Sequence, residues 1–231
     1  MSILKYVVEG EGKIVKYLIG IPYVNRPDLL KLAVNSIKAY WPHLVIVDCS
    51  DGRDLRTSNN LPADVSVYEP PVFLTLSQSL NLLRQLAIEQ QCDVMMYMHT
   101  DAEAHEGTPE QLLSIVETLL TNKEKKWGAV FTNYDTLAVY NMEAVKAIGM
   151  WDTILTAYFI DNDYYRRMSL AGYELIDTGL AVSHHNGSST IRSDLRRGFL
   201  NSITFPMYQY YYEQKWGGTP GKELFSTPFN L

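Results

Sequence analysis

The segment His99-Thr100-Asp101-Ala102-Glu103 places an imidazole and two carboxylates directly after an apolar stretch, Val94-Met95-Met96-Tyr97-Met98. Folding alone gives no reason to crowd such groups at the mouth of a core strand, because each loses hydration free energy unless it is paired or bound. Two further clusters have the same chemistry, Asp161-Asn162-Asp163 and His184-His185. Carboxylates and imidazoles are ligands of divalent cations. In open α/β sheets, ligands bind just outside the carboxyl ends of the strands. Brought to one sheet edge, the three clusters would make a site for a divalent cation, Mn2+ or Mg2+, and a phosphorylated ligand.

The surrounding sequence has the elements needed to position them. Residues 16–22 (KYLIGIP) read as a buried strand, followed by a loop and then Pro27, which suits a first helical turn. Leu29, Leu30, Ala33, Val34 and Ile37 then recur at helical spacing. Residues 44–48 (LVIVD) and 65–69 are further strands, 77–90 a helix, and 93–98 the strand that carries the first cluster. Thr108-Pro109-Glu110-Gln111 opens a helix that runs to about Thr121. Short strands are expected at 128–132 and 136–140, and helices at 141–148 and 161–170. The last sheet strands are expected at 174–177 and 181–184. Alternating strands and helices imply parallel pairing with helices on both faces. In the tail, residues 193–203 read as a helix that Pro206 breaks, followed by an unusually aromatic run, MYQYYYEQKW.

A length of 231 residues and 46% hydrophobic content allow one large domain with a real core. The net charge of −6 argues against broad binding to a phosphate backbone, although residues 191–231 hold five Lys/Arg against three acids. Cys49 and Cys92 match no zinc spacing and read as buried thiols in a reducing compartment. No basic start followed by an apolar stretch is seen, and no segment approaches the ~20 apolar residues of a membrane span. A cytoplasmic protein is therefore expected.

Several motifs in order carry a family resemblance: the loop Pro22 to Arg26, LVIVDCSDG, LNLLRQLAIEQQCDVMMYMHTDAE, AIGMWDTILTAYFIDNDYYRRMSLAGYEL and AVSHHNGSST. Over about residues 16–188 the chain resembles the GT-A-fold glycosyltransferases, specifically the large inverting group called family 2. The resemblance implies an α/β fold with a mixed, mostly parallel, Rossmann-like central sheet, helices on both faces and a C-terminal aromatic helical tail. It implies a glycosyltransferase domain over residues 1–190, with a nucleotide-binding half at about 16–103 and an acceptor half at about 104–190. Residues 191–231 would be a helical tail or lid. It also implies a reaction, inverting transfer of a hexosyl or pentosyl group from a nucleoside diphosphate, a UDP-sugar above all, to a hydroxyl.

The roles that follow from the resemblance are specific. Asp101 and His99 occupy the place of the family's DxD-like metal motif, with an imidazole where the first carboxylate normally stands. One late imidazole, His185 in preference to His184, would complete the metal site. Asp161 matches the general base that takes the acceptor's proton. Donor contacts fall on Pro22, Tyr23, Asn25, Arg26, Asp48, Asn81, Arg84 and Thr100. Asp48 is suited to a base N–H, and Arg84 stands in for an arginine the family carries before the helix asparagine. The acceptor would meet Trp151, Asp152 and Asp163, with Trp216 as a closing element.

Two other readings compete. A nucleotidyltransferase of similar fold is disfavoured by the lack of a Gly-rich basic loop at residues 20–26. A non-catalytic carbohydrate-binding protein is suggested by His99 in place of an acid. The acceptor classes left open are a glycan, a lipid-linked intermediate, a protein and, less favoured, a modified DNA base. Self-association into a homo-oligomer is left open as well.

Overall fold

A computed structural model describes residues 15–53, 55, 61–133, 135–185 and 187–231 of the chain. Its centre is a seven-stranded sheet of β1 (Tyr17–Tyr23), β2 (Leu44–Asp48), β3 (Ser66–Tyr68), β4 (Val94–Met98), β6 (Trp127–Phe131), β7 (Leu137–Asn141) and β8 (Glu174–Asp177), ordered β3-β2-β1-β4-β7-β6-β8. All strands run parallel except β7, which pairs antiparallel with both β4 and β6. The fold is therefore the mixed α/β class expected, with one reversed strand. The carboxyl ends of β1, β2, β4 and β6 all fall at one edge, where their loops meet.

Each element follows from its sequence. β4 is buried along its whole length, so its five residues are all apolar rather than alternating. Helices α1 (Pro27–Ser36) and α3 (Thr108–Thr121) cover one face of the sheet, and α2 (Leu76–Glu89), α4 (Met142–Ile148) and α5 (Ile160–Leu170) cover the other. α2 begins with a capping box, in which the Thr75 hydroxyl accepts from the Gln78 N–H and the Gln78 side chain accepts from the Thr75 N–H. It also lies unusually close to β1: a Cβ added at Gly20 would sit 2.1 Å from Leu83 Cδ1. Both cysteines are buried free thiols.

Two expectations are corrected. The strand β9 (Val182–His184) does not join the large sheet; it pairs antiparallel with β5 (Ala102–Ala104) in a separate ribbon. Pro206 does not end its helix. After α6 (Ser189–Arg192), α7 runs unbroken from Leu195 to Trp216 with Pro206 inside it. A proline in a helix interior costs about 3 kcal/mol. Packing on both sides of it holds the helix together, with Phe205 against Tyr158 and Phe159, and Tyr212 and Trp216 fully buried.

Candidate active site

The β5–β9 ribbon folds a late imidazole back onto the mouth of β4. Ala102 pairs with His184, and the His185 N–H donates to the Asp101 carbonyl at 2.8 Å. His99, Asp101 and His184 thus converge, each offering one ligand atom within 4.8 Å of the others. His184 Nε2 lies 3.3 Å from Asp101 Oδ1, and His99 Nδ1 lies 3.8 Å from it. Asp101 Oδ2 accepts from the Ser189 N–H at 2.9 Å, which fixes the carboxylate's orientation. Burial opposes ionisation of Asp101, but the His184 contact and the Ser189 N–H outweigh it and hold its pKa down at about 2. Asp101 in turn raises His184, while burial lowers His99.

The three groups fit a divalent cation. His184 Nε2 is buried with no well-aligned hydrogen-bond partner despite its neighbour, so it has a lone pair or proton without an assigned use. Two imidazoles and a carboxylate are an accepted donor set for first-row divalent metals.

The expectation for His185 is corrected here. Its Nε2 bonds Glu103 Oε2 at 2.7 Å, away from the cluster. Strand parity is the reason: Val182 faces the core, so His184, two residues on, faces inward with it. Ser183 faces outward and meets His105 Nε2 at 2.8 Å.

Asp161 stands across the same opening. It lies in the first turn of α5, whose entry residue Phe159 is left-handed at φ 62° and packs on Phe205 and Tyr212. Ile160, Tyr164 and Met168 anchor the helix to the core, which leaves Asp161 half-buried at the cavity wall. Burial first, and then the hydrogen-bonded Asp135 carboxyl group beside it, push its pKa up to about 6. Asp135 also accepts from Tyr165 Oη at 3.2 Å, and Tyr165 Oη lies 3.2 Å from Tyr140 Oη. Asp135 is absent from the sequence reading. Its signal was positional: it follows β6, whose carboxyl end shares the edge used by β1, β2 and β4.

A cavity of about 700 Å³ joins these groups, with His99, Asp101, His184, Asp135 and Asp161 all on its wall. Pro22 and Thr100 line it, and the Thr100 hydroxyl donates to the Pro22 carbonyl at 2.7 Å. Trp151 also reaches the cavity, although it is buried and stacked on Tyr164 with centroids 3.8 Å apart. Asp48 is wholly buried at the end of β2 and, unlike its neighbour Cys49, is not on the cavity wall. Its Oδ1 accepts from the Ser50 N–H and hydroxyl at 2.9 and 2.6 Å, while Oδ2 has no partner among the described residues.

The other expected contacts fall elsewhere. Tyr23 is buried in the core on the far face of the sheet, and Val24 lines the cavity in its place, because the inward parity of β1 passes to the next residue. Asn25 Nδ2 donates to the Thr190 carbonyl at 3.1 Å, and Arg26 forks onto Asp28 at 2.9 and 2.7 Å. Asn81 is committed at both ends, donating to the Trp151 carbonyl at 2.9 Å and accepting the Trp151 N–H at 2.8 Å. Its neighbour Arg84 is not on the cavity wall either.

The acceptor-side acids form a separate network. Asp163 Oδ1 accepts from Lys215 Nζ at 2.7 Å and from Trp216 Nε1 at 2.9 Å, and its Oδ2 accepts from Arg167 Nε at 3.0 Å. Asp152 Oδ2 takes Lys215 Nζ at 2.6 Å and Tyr211 Oη at 2.8 Å. These groups bolt the end of α7 to α5. Asp152, Asp163 and Trp216, expected on the acceptor side, are thus engaged in this internal network, with Asp163 and Trp216 buried and Asp152 half-buried.

No protein-family model matches the sequence, and no curated protein matches it. Solved structures do match the fold. A mannosyltransferase from Pyrobaculum calidifontis, in complex with GDP-Man and Mn2+, superposes with a TM-score of 0.55 at 17% identity, over 82% of this chain and 64% of that one. The chain thus spans less than two thirds of that protein. Glucosyl-3-phosphoglycerate synthase from Mycobacterium tuberculosis, in complex with Mn2+ and UDP-glucose, gives 0.54 at 14% identity, over 83% and 79%. A cytidylyltransferase from Leptospira borgpetersenii gives 0.50 at 11% identity, over 84% and 95%. The fold is GT-A-like.

Proposed function

We propose that this chain is an inverting glycosyltransferase that moves a sugar from a nucleoside diphosphate, a UDP-sugar above all, to a hydroxyl acceptor. One observation carries the reading: a cation-type trio and a carboxylate of raised basicity share one cavity. Asp161 is the base. It takes the proton of the acceptor hydroxyl as that oxygen forms a bond to the anomeric carbon, on the side opposite the breaking bond to the diphosphate. A carboxylate of pKa about 6 is better matched to this task near neutral pH than an ordinary aspartate. Burial keeps it so first, and Asp135 adds to it by placing a second carboxyl within hydrogen-bonding reach.

His99, Asp101 and His184 would hold a divalent cation, Mn2+ or Mg2+, which when bound offsets the charge that builds on the departing diphosphate. Thr100 ties the β1 and β4 loops together and so fixes the donor side of the opening. The mannosyltransferase and synthase complexes with nucleotide-sugars and Mn2+ support the reading. The cytidylyltransferase likeness supports nucleotide chemistry in general, but the β1 loop here lacks the glycine-rich, basic character that triphosphate handling calls for.

The direct test is incubation with a panel of UDP- and GDP-sugars and Mn2+, following release of the nucleoside diphosphate. Slow release from one donor, lost on adding a chelator and in Asp161→Asn, is expected. No release and no cation-dependent nucleotide binding across the panel would sink the reading.

A further inference from the structure

We propose that α7 seats the protein on a phospholipid surface, with the mouth of the cavity turned toward the bilayer. Leu195, Phe199, Ile203 and Met207 recur every fourth residue along α7, with Tyr210 beside them on the same side. They are 94%, 66%, 50%, 63% and 65% exposed. A helix on the surface of a globular protein normally turns such a stripe inward, and a contiguous exposed apolar patch marks an interaction surface.

The opposite side of the same helix belongs to the site. Arg197, Asn201, Thr204 and Tyr208 line the cavity. Leu200 and Phe73 both line it and face solvent, at 48% and 56% exposure, so they form its rim. Leu200 follows Phe199 and lies within one turn of Ile203, so rim and stripe are one continuous apolar surface.

A bilayer is the occupant that fits. Arg196 is exposed where the stripe begins, and the acid near it, Asp194, is already taken by the Arg197 N–H at 3.1 Å and by Arg197 Nε at 3.3 Å. Basic residues flanking an apolar helix face are the pattern of helices that lie in the headgroup region of anionic membranes. A second copy of the chain fits less well. Five side chains on one helix fall well short of the about 20–30 residues and about 800 Å² that each partner buries in a stable dimer. A second copy would also stand across the rim, whereas a fluid bilayer leaves it open to molecules arriving from the membrane. Nucleic acid is disfavoured because the stripe is mostly aliphatic, while single strands are held by stacked aromatics beside cations. Among the described residues no helix is long and apolar enough to cross a membrane.

Co-sedimentation with vesicles of equal parts phosphatidylcholine and phosphatidylglycerol tests this on the full chain, and needs no catalysis, so it is read separately from sugar transfer. The parent protein is expected to pellet with the vesicles. The double variant Phe199→Glu/Ile203→Glu, at exposed positions off the cavity wall, should bind about tenfold less while keeping its circular dichroism, melting temperature and Mn2+-dependent UDP binding. Arg196→Glu should weaken binding to these vesicles but not to pure phosphatidylcholine. A parent protein that stays in the supernatant overturns the proposal, as does a double variant that binds as well as the parent. A parent dimer in sedimentation velocity, dispersed by the same double variant, overturns it in favour of a second copy.

Discussion

Asp161 and Asp163 stand two residues apart in the first turn of α5, and their surroundings give them opposite work. Asp163 is fully buried and takes three cationic or N–H donors, from Arg167, Lys215 and Trp216. Asp161 faces the cavity and has another acid, Asp135, as its closest charged neighbour. Partnering, not residue type, separates an anchor from a candidate base. A carboxylate surrounded by donors gives up its basicity for stability, and one set beside a second carboxylate keeps its basicity at the expense of stability.

The contrast can be broken most directly at Asp161. Asp161→Asn should lower the turnover number by about 10²–10⁴-fold, the usual worth of a positioned base, with UDP and Mn2+ affinity unchanged by calorimetry. Loss of nucleotide binding instead would move Asp161 to the donor side. Asp163→Ala should do the reverse. It takes from Lys215 one of its two carboxylates and leaves Arg167 Nε and Trp216 Nε1 without their acceptor, which should cost about 1–3 kcal/mol in urea unfolding, with turnover per folded molecule retained at low temperature. A smaller effect is expected at the imidazoles. His184→Ala should weaken Mn2+ binding about 10–100-fold, measured by manganese electron paramagnetic resonance, and His185→Ala should leave it unchanged.

The finest test uses pH. The folded pKa of Asp161, about 6, lies above its ordinary 3.8, so the fold favours the protonated form. The stability this contributes is whole below about pH 4 and is lost as pH rises through about 6. Asp161→Asn should therefore raise the melting temperature at pH 8 and leave it nearly unchanged at pH 4. Transfer by the parent should fall on the acid side of about pH 6 as the base takes up its proton. Asp135→Asn should shift that limb to lower pH. An unmoved limb would separate Asp135 from the base.

Much of the fold was legible in the sequence because local patterns and long-range packing agreed. The uninterrupted apolar run of β4, the helical spacing of Leu29 to Val34 and the proline-led start of α3 each match the observed element. Pro206 was misleading because its local cost is smaller than the packing of Phe205, Tyr212 and Trp216 around it. At the site, His99, Asp101 and Asp161 stood out as polar groups with no folding reason to be where they are. Asp152 and Asp163 looked the same in sequence. Their partners Lys215 and Trp216 lie more than fifty residues away, and no local pattern connects them.

The sequence by itself determined which strands end in chemistry-bearing residues, because a strand's burial and its carboxyl-end loop are written in consecutive residues. It also fixed that only one of His184 and His185 could face inward, since side chains alternate along a strand. Only the tertiary structure decided which one, by seating Val182 in the core. It likewise decided that Asp135 meets Asp161, and that the aromatic end of α7 is an anchor whose earlier turns roof the cavity. Those outcomes depend on contacts between segments far apart in the chain, and charge pairing and packing settle them only when the chain is folded.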